Sequence, residues 1–155
     1  MNEKNRKIGF IALSGLKGIG PAFVKKVAYQ NIFSEENLIE EIKSITQSNN
    51  KQFEDDIILD LIDEANQIIS NCEKAEIKII SLVDKEYPIL LKELKDPPAV
   101  LYCKGNFELL NSKIVGIIGT REPNETGIKI SERVGSYFAN ANWTICNGLA
   151  EGIDN

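Results

Sequence analysis

The sequence predicts an α/β chain in two parts: a small all-helical domain over residues 1–72, then, over 73–155, the opening of a doubly wound parallel sheet. Three observations predict it. Up to Ile69, apolar residues recur at the three-and-four spacing of helices. From Ile77 onward, short β-branched runs replace that spacing: "IKIISLVD", "AVLYCKG", "KIVGIIG" and "NWTIC". A stretch of helical periodicity separates the last two runs. Strand–helix–strand with apolar strands implies a parallel pair and a right-handed crossover.

In the first helical segment Ile8, Ile11, Ala12, Leu16 and Ile19 recur at helical spacing. "LKGIGPAFVKKV" follows. Gly18 and Gly20 flank Ile19, and Pro21 stands where a first helical turn tolerates a missing N–H. Phe23, Val24, Val27 and Ala28 continue as an apolar stripe, so the segment reads as helix, tight glycine hairpin, helix. In "FSEENLIEEIKSI", Ser34 is the expected N-cap. Glu35 and Glu36 lie in the first turn, and Asn37 holds the position where a capping box would want Glu or Gln. After a polar loop, "DDIILDLIDEANQIISNCEKA" forms a second amphipathic helix with Ile58, Leu61, Ile62, Ala65 and Ile69 inward. Between the first two strands, "YPILLKELKDPP" allows only a helical turn or two, opened by Pro88 and closed by Pro97-Pro98. Asn124 is placed to cap a helix running to about Asn140. Its stripe is Ile128, Ile130 or Ser131, Val134, Tyr137 and Phe138. Tyr137 and Trp143 are expected in the core.

Composition narrows the function. The chain has 155 residues, 43% of them hydrophobic, and a net charge of −5. It contains no histidine, which removes the commonest general base and metal ligand. The overall acidity disfavours a generic polyanion binder, so any such site must rest on a local cluster. Three scattered cysteines, Cys72, Cys103 and Cys146, have neither disulfide nor zinc spacing, and each is expected to pack as a small apolar residue in a reducing cytoplasm. No apolar run reaches the ~18 residues needed to span a bilayer, and the N-terminus lacks the pattern of a signal peptide. No cofactor, metal or catalytic residue is expected.

The candidate site lies at the carboxyl ends of the third and fourth strands, where such sheets hold ligands. Both strands end in glycine, Gly119 and Gly148. Between strand and helix stands Arg121, whose planar guanidinium suits a phosphate. The helix start directs free N–H groups and a positive dipole end to the same rim. The expected phosphate cradle is Gly119, Thr120, Arg121 and the helix-start amides, with Gly127 allowing close approach and the Gly148 and Gly152 turn opposite. The competing reading is a plain strand–helix turn with a solvated arginine. G-x-G-x-x-G and G-x-x-x-x-G-K-[ST] are both absent. A second phosphate contact is expected at Lys17, Gly18, Gly20, Lys25 and Lys26, against the alternative of a merely structural hairpin. Asp154 either caps the turn after Gly152 or meets a ligand, and capping is the simpler reading.

"VGIIGTREPNETGIKISERVGSYFANANWTICNGLAEGID" resembles the core of the DNA-processing protein A (DprA, or Smf) family. The upstream "YPILLKELKDPPAVLYCKGNFELL" is similar to that family's lead-in, and "LKGIGPAFVKKV" to its helix-hairpin-helix (SAM-like) element. The resemblance implies a Rossmann-like domain and a cytoplasmic protein with no catalytic step. It implies binding of single-stranded DNA, and loading of the recombinase RecA onto it during DNA uptake by competent cells in natural transformation. The G-[ST]-R turn of the family falls on Gly119, Thr120 and Arg121. Its helix-start glycine falls on Gly127, and G-x-A-x-G-I-D on Gly148, Ala150, Gly152, Ile153 and Asp154. Thr126 stands where the family often has an aromatic residue, and Asn147 where it has Ser. The family continues past G-I-D, so the chain is read as the truncated first half of the sheet domain, its apolar edge open to self-association. A nucleotide-ligand sensor, a nucleotide-processing enzyme and an inactive fragment remain the alternatives.

Overall fold

The computed structural model describes residues 3–30, 33 and 37–155. They form two units, Met1–Phe107 and Glu108–Asn155.

In the first unit, α1 (Glu3–Gly15) packs against α4 (Asp55–Lys74), with α2 (Pro21–Ala28) and α3 (Leu38–Gln47) alongside. The buried positions follow the helical stripes: Ile8, Ala12, Val24, Val27, Ile42, Ile45, Ile58, Ala65 and Ile69. Leu61 and Ile62, expected inward, are half-buried. Between α1 and α2 the chain turns through Leu16 and Ile19, both buried, and Gly18 has φ +82°. Phe33 lies with its ring over Gly9, where a Cβ would collide with it, and meets Phe10 edge-on at 5.4 Å between centroids. Ser34, Glu35 and Glu36 lie outside the described residues. Asn37 itself caps α3, its side chain accepting from the Glu40 amide, because Asn is among the best N-cap residues. The acidic run Glu54-Asp55-Asp56 is exposed at the start of α4, with Asp55 2.8 Å from the Lys43 ammonium.

β1 (Ile77–Ser81) and β2 (Val100–Lys104) pair antiparallel, from Ile77 opposite Lys104 to Ser81 opposite Val100. The helix between them, α5 (Ile89–Lys92), is a single turn, too short to serve as a crossover, so the strands fold back on each other. They form a sheet of their own rather than joining the later strands. β1 packs on α4 and α1, which places the strands with the helices. The division between units therefore falls after Phe107, whereas the sequence expectation places it at residue 72. The loop is latched from inside. Asp84 accepts from Arg6 at 2.6 Å and from the Ser81 amide at 2.7 Å, and buried Tyr87 donates to the Pro98 carbonyl at 2.8 Å.

The second unit holds the expected crossover. β3 (Ile114–Gly116) and β4 (Thr144–Cys146) are parallel, and α6 (Glu125–Asn140) connects them. Asn124 caps α6 as expected, accepting from the Gly127 amide at 2.8 Å. Gly135 brings α6 onto the strands, where an added Cβ would sit 3.6 Å from Ile145 Cδ1. Two three-residue strands cover only one side of this helix. Tyr137, expected in the core, is therefore 70% exposed, and Ile130 and Val134 are exposed beside it. Trp143 is likewise exposed, although its ring meets Phe138 at 5.7 Å. Of the cysteines, Cys72 is buried, Cys103 half-buried and Cys146 exposed, so the expectation of three packed thiols fails for Cys146 at the sheet edge. No helix among the described residues is long and apolar enough to cross a membrane.

Candidate functional site

The candidate site lies wholly in the second unit, at the carboxyl ends of β3 and β4. Ile117 continues the ladder beyond β3, its N–H donating to Cys146 carbonyl at 2.9 Å. The chain then leaves β3 through Gly119, Thr120 and Arg121 and enters α6 through Pro123 and the Asn124 cap. Asn124 satisfies the Gly127 amide, and Ile128 N–H donates to the Asn124 carbonyl at 3.1 Å. The Glu125 and Thr126 amides, ahead of the first helical hydrogen bond, are the ones a helix leaves facing outward. They lie at the positive end of a helix of 16 residues.

Arg121 is exposed and forms no ion pair among the described residues. Thr120 beside it is exposed, and its hydroxyl accepts from the Glu122 amide at 3.2 Å. Exposed Glu122 and Glu125 follow Arg121 closely in the chain, so its positive charge has acidic sequence neighbours. The donors here are one guanidinium, a hydroxyl and two helix-start amides. That set can hold one phosphate group in a charge-assisted, directional way.

The glycines expected in the cradle do converge there, with different roles. The close approach expected at Gly127 occurs at Gly119 and Gly152 instead. A Cβ on Gly127 would have ordinary neighbours, Asn124 Oδ1 at 3.4 Å and Ile153 Cδ1 at 3.9 Å. A Cβ on Gly119 would meet the Ile153 side chain at 2.6 Å. Gly152, at φ +95°, passes directly under the Thr120 carbonyl and 2.7 Å from Arg121 Cα, measured to an added Cβ. Gly148 does not face the rim alone, because its amide donates to Asp154 Oδ2 at 3.0 Å. Asp154 also accepts from the Gly119 amide, so its carboxylate serves the turns that follow β3 and β4 rather than the turn after Gly152 that the sequence reading named.

The other expected residues, Lys17, Gly18, Gly20, Lys25 and Lys26, are in the first unit. Lys17 and Lys26 are exposed, whereas the Lys25 ammonium is engaged by the Leu94 carbonyl at 2.5 Å. Lys51, from the loop after α3, reaches Gly18 with its ammonium 3.0 Å from where a Cβ would be. Its distance from the hairpin along the chain hid this from sequence reasoning. Ile153 was named only as part of the G-I-D match; the fold shows that it fills the space Gly119 leaves open. Among the described residues no three His, Cys, Asp or Glu side chains are grouped to hold a metal ion.

Residues 78–155 match the family model for DNA recombination-mediator protein A. The chain is 36% identical over 89 residues to DNA processing protein DprA of Bacillus subtilis, a match covering 57% of this chain and 30% of that protein. It is 30% identical over 154 residues to Protein Smf of Synechocystis, covering 94% of this chain and 38% of that protein. The solved structure of DNA processing protein A from Streptococcus pneumoniae superposes over 99% of this chain and 52% of its own, with a TM-score of 0.69 and 27% identity. The chain thus spans between about a third and a half of the lengths of these proteins.

Proposed function

The chain belongs to the DNA recombination-mediator protein A family, and from that premise we propose that it binds single-stranded DNA through the rim around Arg121. It would do so as a cytoplasmic, non-catalytic recombination mediator that delivers such DNA to RecA during natural transformation. The observation that carries the reading is the exposed Arg121 guanidinium beside the outward amides of α6, at the carboxyl end of a parallel strand pair. A phosphodiester offers the charge and acceptor geometry these donors fit. Gly119, Thr120, Gly127, Gly148 and Gly152 build the backbone that holds Arg121 and the amides in place. With Thr126 at the helix start in place of an aromatic side chain, affinity rests on phosphate contacts and falls steeply with salt. Exposed Lys17 and Lys26, with Gly18 and Gly20 of the hairpin, supply a second phosphate contact; Lys25 is held by Leu94.

Titration of a labelled oligo-dT at fixed salt tests the assignment. Arg121→Ala should weaken binding about 10- to 100-fold, the ~1.5–3 kcal/mol of a charge-assisted hydrogen bond. An unchanged dissociation constant in a folded variant refutes it. Competition separates single-stranded DNA from the nucleotide-sensor alternative: an oligonucleotide should displace the probe at far lower concentration than a mononucleotide. The reverse order would make the site a nucleotide pocket.

A further inference from the structure

Asp154 is the one buried residue among the described residues of the second unit, at 7% exposure, and it carries a carboxylate. Its two oxygens face two different turns. Oδ1 accepts from the Gly119 amide at 3.0 Å, 35 residues earlier in the chain, and Oδ2 accepts from the Gly148 amide at 3.0 Å, 6 residues earlier. Gly119 follows β3 and Gly148 follows β4, so one side chain ties the ends of both parallel strands together. Two further contacts bind the same turn to the Arg121 segment. Ile153 N–H donates to the Thr120 carbonyl at 3.2 Å, and Gly152 lies beneath Thr120 and Arg121 with no room for a side chain. The segment carrying Arg121 is therefore held at the Gly119 N–H and at the Thr120 carbonyl, the positions just before the arginine.

The same geometry restricts the ligand. At the end of a parallel sheet, the strand-end amides are natural anion donors. Here a carboxylate of the protein already occupies those of Gly119 and Gly148. A phosphate entering between the two glycine turns would meet the buried negative charge of Asp154 and find both donors taken. The donors still open lie on the α6 side, at Arg121, Thr120, Glu125 and Thr126.

We infer that Asp154 is the positioning residue of the site: it does not touch the ligand, it orients Arg121, and it confines the ligand phosphate to the α6 side of the rim. The inference rests on the reading of Arg121 as the phosphate partner. Asp154→Asn probes it with little change of shape. Asn supplies one acceptor where two are needed, and its NH₂ group faces one of the two amides donor to donor.

The experiment is a double-mutant cycle on the full chain, with Arg121→Ala, Asp154→Asn and the double variant titrated with labelled oligo-dT at several salt concentrations. Asp154→Asn should weaken binding about tenfold and lower the slope of log K against log[salt] by about 0.7, one phosphate contact on a single strand. Because it acts through Arg121, the double variant should bind no more weakly than Arg121→Ala alone. Losses that multiply, or Asp154→Asn binding like the parent, overturn the inference while leaving Arg121 in its role. Equal binding by parent and Arg121→Ala removes the reading and the inference together. Amide exchange in the parent protein serves if Asp154→Asn fails to fold. The Gly119 and Gly148 amides should be protected and stay so on adding oligo-dT, while the Thr126 amide shifts. Loss of protection at Gly148 on binding would show the ligand displacing the carboxylate, against the inference.

Discussion

Gly152→Ala should unfold the second unit at markedly lower denaturant than the parent, and its cost can be worked from the geometry. Gly152 has φ +95°, a region that costs an L-residue about 1–2 kcal/mol. An added Cβ would overlap the Thr120 carbonyl oxygen and come within 2.7 Å of Arg121 Cα and 2.8 Å of Arg121 carbonyl carbon. All three are main-chain atoms, so no rotamer change relieves the overlap. Overpacking costs about 1–3 kcal/mol where side chains can adjust, so the upper end applies. The sum, about 4–5 kcal/mol, is a large part of the ~5–15 kcal/mol that holds a domain folded. Trp143 is the chain's one tryptophan and sits in this unit against Phe138, so its fluorescence during urea unfolding reports the right part of the molecule. Gly127→Ala is the control. Its Cβ meets nothing closer than 3.4 Å in the first turn of α6, and removing a helical glycine should stabilise by about 0.5–1 kcal/mol. A Gly152→Ala midpoint equal to the parent's, or Gly127→Ala proving the more damaging of the two, would refute the assignment of the close approach to Gly152.

Four other outcomes are expected. Asp84→Ala removes the acceptor of Arg6 and of the Ser81 amide in a largely buried latch, and thermal melts by circular dichroism should show a loss of about 3 kcal/mol. Burial pushes the Tyr87 hydroxyl up to about 12. Its neutral form thus stabilises the fold fully below pH 10, and the contribution is lost as pH rises from 10 toward 12, by up to about 2 kcal/mol. Tyr87→Phe should flatten that part of the stability profile relative to the parent, at a cost near neutral pH of about 1 kcal/mol for the bond to Pro98. Asn124→Ala should cost about 1 kcal/mol by freeing the Gly127 amide, seen as a lower urea midpoint in Trp143 fluorescence. Sedimentation over a concentration series should show self-association through the exposed Ile130, Val134 and Tyr137 face and the adjoining sheet edge, weakened by Tyr137→Ser.

Local rules carried much of the architecture. Helical spacing places α1 through α4, and Pro21 and Asn124 mark helix starts because the chemistry that caps a helix is confined to a few neighbouring residues. The parallel pair β3–β4 was legible because its crossover helix is long enough to reveal its period. The pairing of β1 with β2 was not: strand patterns look alike in either sense, and only the packing of the short α5 loop turns the chain back. Asn37 was misplaced by one motif, since a capping box and a simple cap use the same residues a few positions apart.

The site divides in the same way. Its candidate chemistry was legible in the sequence alone: an arginine between a strand-ending glycine and a helix start marks a candidate rim for an anion, because strand, turn and helix end are contiguous in the chain. Which glycine is indispensable, and what holds the arginine, was decided by the tertiary structure. Gly152 lies under Thr120, and Asp154 joins Gly119 to Gly148 across 35 and 6 residues. Those contacts arise only once β3 and β4 lie side by side, and the spacing of residues along one strand carries no record of the turn that packs beneath it.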